Sequence, residues 1–401
     1  MHILLLNQTF YPDVAATAQY ASDLAAMLVE QGNQVTVISS RRCYVDPRVV
    51  HPWSETWRGV RILRCPASGF GKDAKWRRAL DFATFLVTCA GRASVLSKFD
   101  VVISLTTPPL LSALAAVIAR MNGARFIYWV MDLNPDQAIA AGWLRSNSRV
   151  TRVLNGVLRF SLRNSDEIVV LDRFMATRLA GKGVPAARLS VIPLWPQDDA
   201  VKFDSAAAEE FRRRHQLTGK FVVMYSGNHS PCHPLDTLVD AAKLLSHLPN
   251  IMFCFVGGGS EFARLQTLAA SDPVENIRCI PYQPLGGLSA SLSSADLHAV
   301  VMGDPYVGIV HPSKVYNIQR IGAPFVYIGP ARSPVAELSP TRSFRHGAAR
   351  ELAQFIESYA RQNTPGQTGP TQSCSRQDLL GRLISAIEGK PGPRIEYPRH
   401  S

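Results

Sequence analysis

The side chains best placed for chemistry in this 401-residue chain lie in residues 308–324 (GIVHPSKVYNIQRIGAP). A turn at His311-Pro312-Ser313 should lead into a short helix that stops at Gly322, with a strand after Pro324. Lys314 then sits in the first helical turn, facing the carboxyl edge of a sheet. An ammonium there can balance the two phosphates of a departing nucleoside diphosphate. The alternative is an ordinary solvated surface lysine. Residues 225–236 (YSGNHSPCHPLD) set small and polar groups at the carboxyl end of a strand, where open α/β sheets bind ligands. Gly227, Asn228 and His229 are therefore candidate donor-phosphate contacts, or else parts of a structural turn. His229 and His233 are four apart, but Pro231 and Pro234 forbid the regular helix that would align them, so no metal site is expected. Gly257-Gly258-Gly259 follows a strand and precedes a helix, which lets backbone approach a ligand at a helix N-terminus. It is not GxGxxG, so it gives NAD binding little support.

The first half offers two further sites. In residues 129–136 (WVMDLNPD), Asp132 stands at a strand end beside an aromatic and reads as functional. Asp136 reads as structural, because Asn134-Pro135 suits the start of a helix. Residues 7–13 (NQTFYPD) close the first strand with a polar-aromatic loop that includes Asn7 and Tyr11. Residues 75–98 place Trp76, Arg77, Arg78 and Arg92 around an apolar helix with Phe82 and Phe85. That pattern suits either an interfacial membrane helix or a helix packed on a sheet.

The elements that must position these groups alternate. Short β-branched or leucine-rich runs at 3–6, 35–39, 60–64, 101–104, 126–130 and 168–171 read as buried strands separated by helical segments. One such helix spans 16–31 and stops at Gly32. Strands with intervening helices imply a parallel sheet with right-handed crossovers. The rhythm breaks at residues 191–196 (VIPLWP) and then resumes. Strands are expected at 221–225, 252–256, 276–280, 297–301 and 324–328, and a helix at 235–248. The expected organisation is one α/β domain over 1–195 and a second over 196–361. Residues 362–401 form a flexible loop, a last helix at 376–388 and a loose tail.

Composition agrees with two globular domains: 46% of residues are hydrophobic and 18% charged. Seven cysteines without a CxxC pair fit a reducing compartment and no disulfide framework. The opening MHILLLN reads as a first strand and not a leader. No segment reaches the roughly 18 to 20 apolar residues that span a bilayer. Lys and Arg number 43 against 31 Asp and Glu, a net charge of +12. That excess suits an anionic partner, either a phosphorylated substrate or anionic lipid. No nucleic-acid-binding signature accompanies it, so nucleic acid is not expected.

The order of these motifs resembles family 4 glycosyltransferases of the GT-B fold, especially those that make exopolysaccharides and lipid-linked glycans. The strand–FYPD–helix opening, VIPLWP, YSGN, FVGGGSE and PSKVYNIQRIGAP carry the resemblance over nearly the whole chain. It implies two Rossmann-like domains facing each other across a cleft, and no cofactor or metal. A nucleotide-sugar donor, of the UDP-sugar type, would bind mainly to the second domain through Gly227, Asn228, His229, Gly257, Gly258, Ser313 and Asn317. A glycan or polyprenyl-linked acceptor would meet Asn7 and Tyr11 of the first. Asp132 and Lys314 would be the catalytic pair, in a reaction that retains anomeric configuration. A cytoplasmic location at the inner face of the plasma membrane follows. Three positions depart from the family pattern. Ala15-Ala16 replaces a glycine pair, His229 stands where Arg or Lys is common, and Ile309 and Asn317 occupy the two positions of the Glu-x7-Glu motif. A catalytically weak homologue acting as an assembly partner, or a sugar-nucleotide epimerase, are the competing readings.

Overall fold

The computed structural model describes residues 1–43, 46, 48–67, 75–96, 98–196, 201–271, 275–362 and 376–390. The chain divides into two compact units, Met1–Pro193 with Ser375–Ser401, and Leu194–Cys374. The partition thus falls inside VIPLWP. The loop expected at 362–372 and the tail beyond 390 lie largely outside the described residues.

The first unit opens with β1 (His2–Leu6), α1 (Ala16–Glu30), β2 (Gln34–Ser40) and a hairpin of β3 (Ser54–Trp57) and β4 (Val60–Cys65). It continues through α2 (Lys75–Ser94), β5 (Val101–Ser104), α3 (Leu111–Asn122) and β6 (Arg125–Val130). Then come α4 (Asp136–Ala140), α5 (Arg149–Asn164), β7 (Glu167–Val170), α6 (Arg173–Gly181) and β8 (Leu189–Val191). The sheet order is β3-β4-β2-β1-β5-β6-β7-β8, parallel except for β3 against β4. Leu5 of β1 pairs with Val37 on one side and Ile103 on the other. These strands are apolar at nearly every position because helices cover both faces of a parallel sheet.

The second unit repeats the plan. It runs α7 (Ser205–Arg214), β9 (Phe221–Asn228), α8 (Asp236–Leu244), β10 (Ile251–Gly258), α9 (Ser260–Ser271) and β11 (Ile277–Pro281). It ends with α10 (Leu288–Ser293), β12 (Leu297–Val301), α11 (Lys314–Arg320), β13 (Phe325–Ile328), β14 (Arg342–Phe344) and α12 (Ala349–Gln362). The order β11-β10-β9-β12-β13-β14 is all parallel. Phe253 and Phe255 of β10 are fully enclosed in its core. A buried ion pair, Arg212 to Asp296 at 2.8 Å, ties α7 to the start of β12. Asp296 also accepts the Val222 amide.

In each unit the first strand stands where the sheet order reverses, between β1 and β5 and between β9 and β12. Ligands of open α/β sheets bind beyond the carboxyl ends of the strands at that switch point. The last helix, α13 (Arg376–Glu388), returns to the first unit. Arg376 pairs with Asp23 at 2.7 Å, and Arg382 donates to the Val191 carbonyl at 3.0 Å. The helix expected at 376–388 is thus present and is a structural element of that unit. The sequence pattern also missed the short strands β3, β8 and β14 and the polar helix α7.

Candidate functional site

At the switch point of the second unit, β9 runs three residues beyond the expected strand, through Ser226, Gly227 and Asn228. Gly227 pairs in register with Gly257 and Asn228 with Gly258. This register needs glycine: a Cβ on Gly257, at φ +138°, would strike the Gly227 carbonyl. Gly258 lies under Tyr282, whose hydroxyl donates to its carbonyl at 3.3 Å. Of the expected donor contacts, Gly227, Asn228, His229, Gly257 and Gly258 thus gather at one strand edge.

Lys314 begins α11 and brings its amine to that edge. A Cβ added to Gly227 would lie 3.3 Å from the Lys314 Cε. The amine sits 3.6 Å from the centroid of the Tyr225 ring. Its Nζ is buried and meets no hydrogen-bond acceptor. Burial holds this amine well below the usual lysine range. The alternative of a solvated surface lysine does not describe this environment. Ser313 precedes Lys314 at the N-cap position, and Asn317, buried, follows one turn later.

Two histidines flank the amine and both stay neutral. His229 is fully enclosed, with Nδ1 2.8 Å from the Gly227 carbonyl and its ring edge-on to Tyr225 and Phe262. Desolvation and then the neighbouring Lys314 push its pKa down to about 4. His233 has Nδ1 2.7 Å from the Val301 carbonyl, and the same two causes take it down to about 3. Each ring is anchored by its own carbonyl, which is a different arrangement from a chelating pair.

In the first unit, Asp132 follows β6, and its backbone amide donates to the Thr106 hydroxyl at 3.3 Å. Desolvation raises its carboxyl pKa to about 6. Asp136 is held by Lys182 at 2.9 Å and Arg178 at 3.5 Å. Helix α4 starts with Pro135 at the N-cap position and no side-chain cap. Asn7 is completely enclosed, its amide donating to the carbonyl and hydroxyl of Thr9 while its Oδ1 meets no hydrogen-bond donor among the described residues. Tyr11 is exposed and stacks on Trp57 at 4.5 Å.

One organising residue escaped the sequence reading. Arg64 on β4 is fully buried and donates to Glu55, Ser39, the Ser40 carbonyl and the Tyr11 carbonyl. It ties the loop after β1 to the ends of β2 and β3. Its signal was the second arginine of the strand VRILRC, at a buried position where Arg61 is exposed. Nearby, ligand atoms of Asp13, Cys43 and His51 lie within 4.8 Å of one another. The Arg64 charge, which helps to depress the His51 pKa, adjoins them and disfavours a cation.

Residues 16–195 match the family model described as a glycosyl transferase 4-like domain. WcaI of Escherichia coli K12, whose name assigns it to colanic acid biosynthesis, is 26% identical, over 97% of this chain and all of its own length. Sucrose-phosphate synthase of Thermosynechococcus elongatus superposes with a TM-score of 0.68 at 14% identity, covering 97% of this chain and 94% of that one. HepE of Anabaena, solved with UDP and glucose, gives 0.65 at 14% identity with the same coverage. Two Rossmann-like units and these likenesses define a glycosyltransferase of the GT-B fold. Residues 16–195 thus carry a glycosyl transferase 4-like domain, and the chain is similar to glycosyltransferases of polysaccharide biosynthesis.

Proposed function

We propose that the protein transfers a hexosyl unit from a UDP-sugar to a glycan or polyprenyl-linked acceptor, with retention of configuration and without a metal. The observation that carries this reading is the Lys314 amine, buried against Tyr225 with no acceptor of its own. A diphosphate placed beside it would supply the missing counter-charge and restore the ammonium form, and that form would stabilise the departing nucleoside diphosphate. Asn228, Gly257, Gly258 and Ser313 would line the phosphate path, with the neutral His229 beside them. Asn317 would hold a ribose hydroxyl. In the first unit Asp132 would orient the acceptor hydroxyl, and Tyr11 would contact the acceptor while Asn7 fixes the loop that carries it. HepE, which binds UDP and glucose, supports the choice of a UDP-sugar. The name of WcaI, a colanic acid biosynthesis glycosyl transferase, supports a polysaccharide as product; the proposed place of synthesis is the cytoplasmic side of the plasma membrane.

A second reading has one observation in its favour. Ile309, at the first position of the family's glutamate pair, is 2% exposed and apolar, and Asn317 carries no charge at the second. A weakly catalytic partner in an assembly complex would tolerate both changes. Calorimetric titration with UDP, GDP, ADP and UDP-sugars, repeated with a chelator, separates the readings when followed by turnover on lipid-linked acceptors. Chelator-resistant UDP binding with turnover supports the transferase. Binding without turnover on any acceptor favours the partner, and no binding sinks the donor site.

A further inference from the structure

We propose that Asp13, Cys43 and His51 of the first unit form a binding site for a divalent metal ion of the zinc type. Among the described residues this is the one place where three such ligand groups converge, their ligand atoms within 4.8 Å of one another. Two of them come from a short antiparallel ladder that follows β2. Arg42 bridges to Val50 there. The Cys43 amide donates to the Val49 carbonyl at 3.0 Å, and the His51 amide donates to the Arg41 carbonyl at 2.8 Å. Cys43 and His51 each stand one residue beyond the bridged pair, so both side chains leave the ladder on the same face. The third ligand comes from the loop after β1. Asp13 is 5% exposed there, and its amide closes a turn on the Phe10 carbonyl at 3.0 Å. Cys43 and His51 are half-buried, which leaves the ion a path from solvent.

The donor set selects the ion. A carboxylate oxygen, a thiolate sulfur and an imidazole nitrogen together suit zinc, whereas magnesium and calcium take oxygen ligands. Three protein ligands leave one tetrahedral position for water. The Nε2 of His51 is buried and meets no hydrogen-bond partner among the described residues, so this ring nitrogen is available to an ion. Arg64 acts in two directions at this place. Its charge opposes an arriving cation, yet after burial it is the next cause that holds His51 in the neutral form, the form that ligates. Glu55 accepts from the guanidinium and offsets that charge. The Asp13 carboxylate and the Cys43 thiolate then bring two negative charges against a divalent ion, the thiol proton passing to solvent as the ion enters. Bound metal would tie the loop after β1 to the ladder after β2. That loop carries Tyr11, so the ion would fix the residue proposed to meet the acceptor; this consequence rests on the proposed function, while the site itself does not.

Competition between the full chain and a chromophoric chelator for zinc tests the proposal without needing turnover. One zinc ion per chain is expected to bind, and magnesium is not expected to compete. Cys43→Ser and His51→Gln should each lower zinc affinity by more than about tenfold, since losing even a group that orients a metal ligand costs that much. Cys279→Ser removes a half-buried thiol of the second unit and should leave the affinity unchanged. Cobalt in place of zinc should give a thiolate-to-metal charge-transfer band in the near ultraviolet. Cys43→Ser should abolish that band and Cys279→Ser should keep it. Both ligand variants change half-buried side chains, so in the presence of chelator they should melt with the parent. The proposal is overturned if the parent binds no stoichiometric zinc, or if Cys43→Ser binds it as tightly as the parent. Cobalt bound without the thiolate band overturns it as well. Calorimetry with UDP on the same samples, with and without zinc, keeps this site distinct from Lys314: failure of the zinc site leaves donor binding standing, and failure of donor binding leaves the zinc site standing.

Discussion

The carboxyl edges of the two units each bury a cation, and the two cations are treated in opposite ways. Arg64 in the first unit is sealed from solvent and completely engaged, with a carboxylate, two carbonyls and a hydroxyl accepting from it. Lys314 in the second unit hides its amine against the face of Tyr225 and has no acceptor. The second unit can pair a buried cation, as Arg212 with Asp296 shows, so the lack of an acceptor at Lys314 is not imposed by the fold. A buried charge without a partner is costly, so burial lowers the affinity of this amine for its proton and an arriving anion would raise it again. The engaged cation holds loops in place, while the unengaged one is ready for a ligand.

The largest expected effect tests the unengaged cation. Lys314→Met keeps the volume and removes the amine. Turnover should fall by about two to three orders of magnitude, the usual loss when one stabilising donor is removed from an active site. The melting temperature should hold or rise, since nothing in the fold accepts from Nζ. Steady-state kinetics beside a thermal melt reads both, and an active but unstable variant would reverse the assignment. Arg64→Met is expected to do the converse. Breaking its network should destabilise the first unit by about 3 kcal/mol, as for a broken buried ion pair. Donor affinity should stay unchanged in calorimetry at temperatures where the variant is folded. Weakened UDP binding by folded Arg64→Met would erase the contrast between scaffold and site.

Much of this contrast was legible before the fold was known. The alternation of strands and helices, the YSGN and glycine-rich strand ends and the lysine of PSKVYNI are local patterns, and local patterns survive in sequence. Contacts between distant residues do not. That Tyr225 lies beneath Lys314, 89 positions later, depends on β9 standing next to β12 at the switch point. The network of Arg64 likewise draws on residues from three separate stretches, the loop after β1, the end of β2 and β3. Short edge elements such as β3 and β14 carry too few residues for a period to register, and the VIPLWP strand end was hidden by its prolines. The return of α13 to the first unit had no sequence signal, because a helix's amphipathic face does not name the surface that it covers.

Acid provides a smaller and graded test, because the histidines beside Lys314 and the carboxyl of Asp132 titrate in opposite directions. His229 and His233 have folded pKa values near 4 and 3, below the ordinary 6.5. Below pH 6.5 the unfolded chain therefore binds protons that the folded one refuses. Their contribution is fully present above about pH 6.5 and is lost as the pH falls toward 3, by up to about 1.4 kcal/mol per pH unit for each histidine. Urea denaturation at stepped pH should show this slope, and His229→Asn with His233→Asn should flatten it. His298, also depressed to about 4, would leave a residual slope. An unchanged slope in the double variant would mean that these rings are not held neutral.

Asp132 should give the smallest shift in stability, and of opposite sign. Its folded pKa of about 6 lies above the ordinary carboxylate value, so between about pH 4 and 6 the folded state holds the proton more tightly than the unfolded one. Its contribution is therefore greatest in acid and declines as the pH rises through 6. Asp132→Asn, which cannot ionise, should be slightly more stable than the parent at pH 7, by about 1 kcal/mol or less because the residue is only partly shielded from water. The difference should vanish near pH 4. If the carboxylate orients the acceptor, kcat/KM of the parent should also decline below about pH 6, and the variant should lose most of its rate together with that limb. A variant that keeps the parent's rate and acid limb would reduce Asp132 to a half-buried acid of the fold. The first unit would then supply the scaffold at its carboxyl edge, and the chemistry would rest on the unengaged amine of the second.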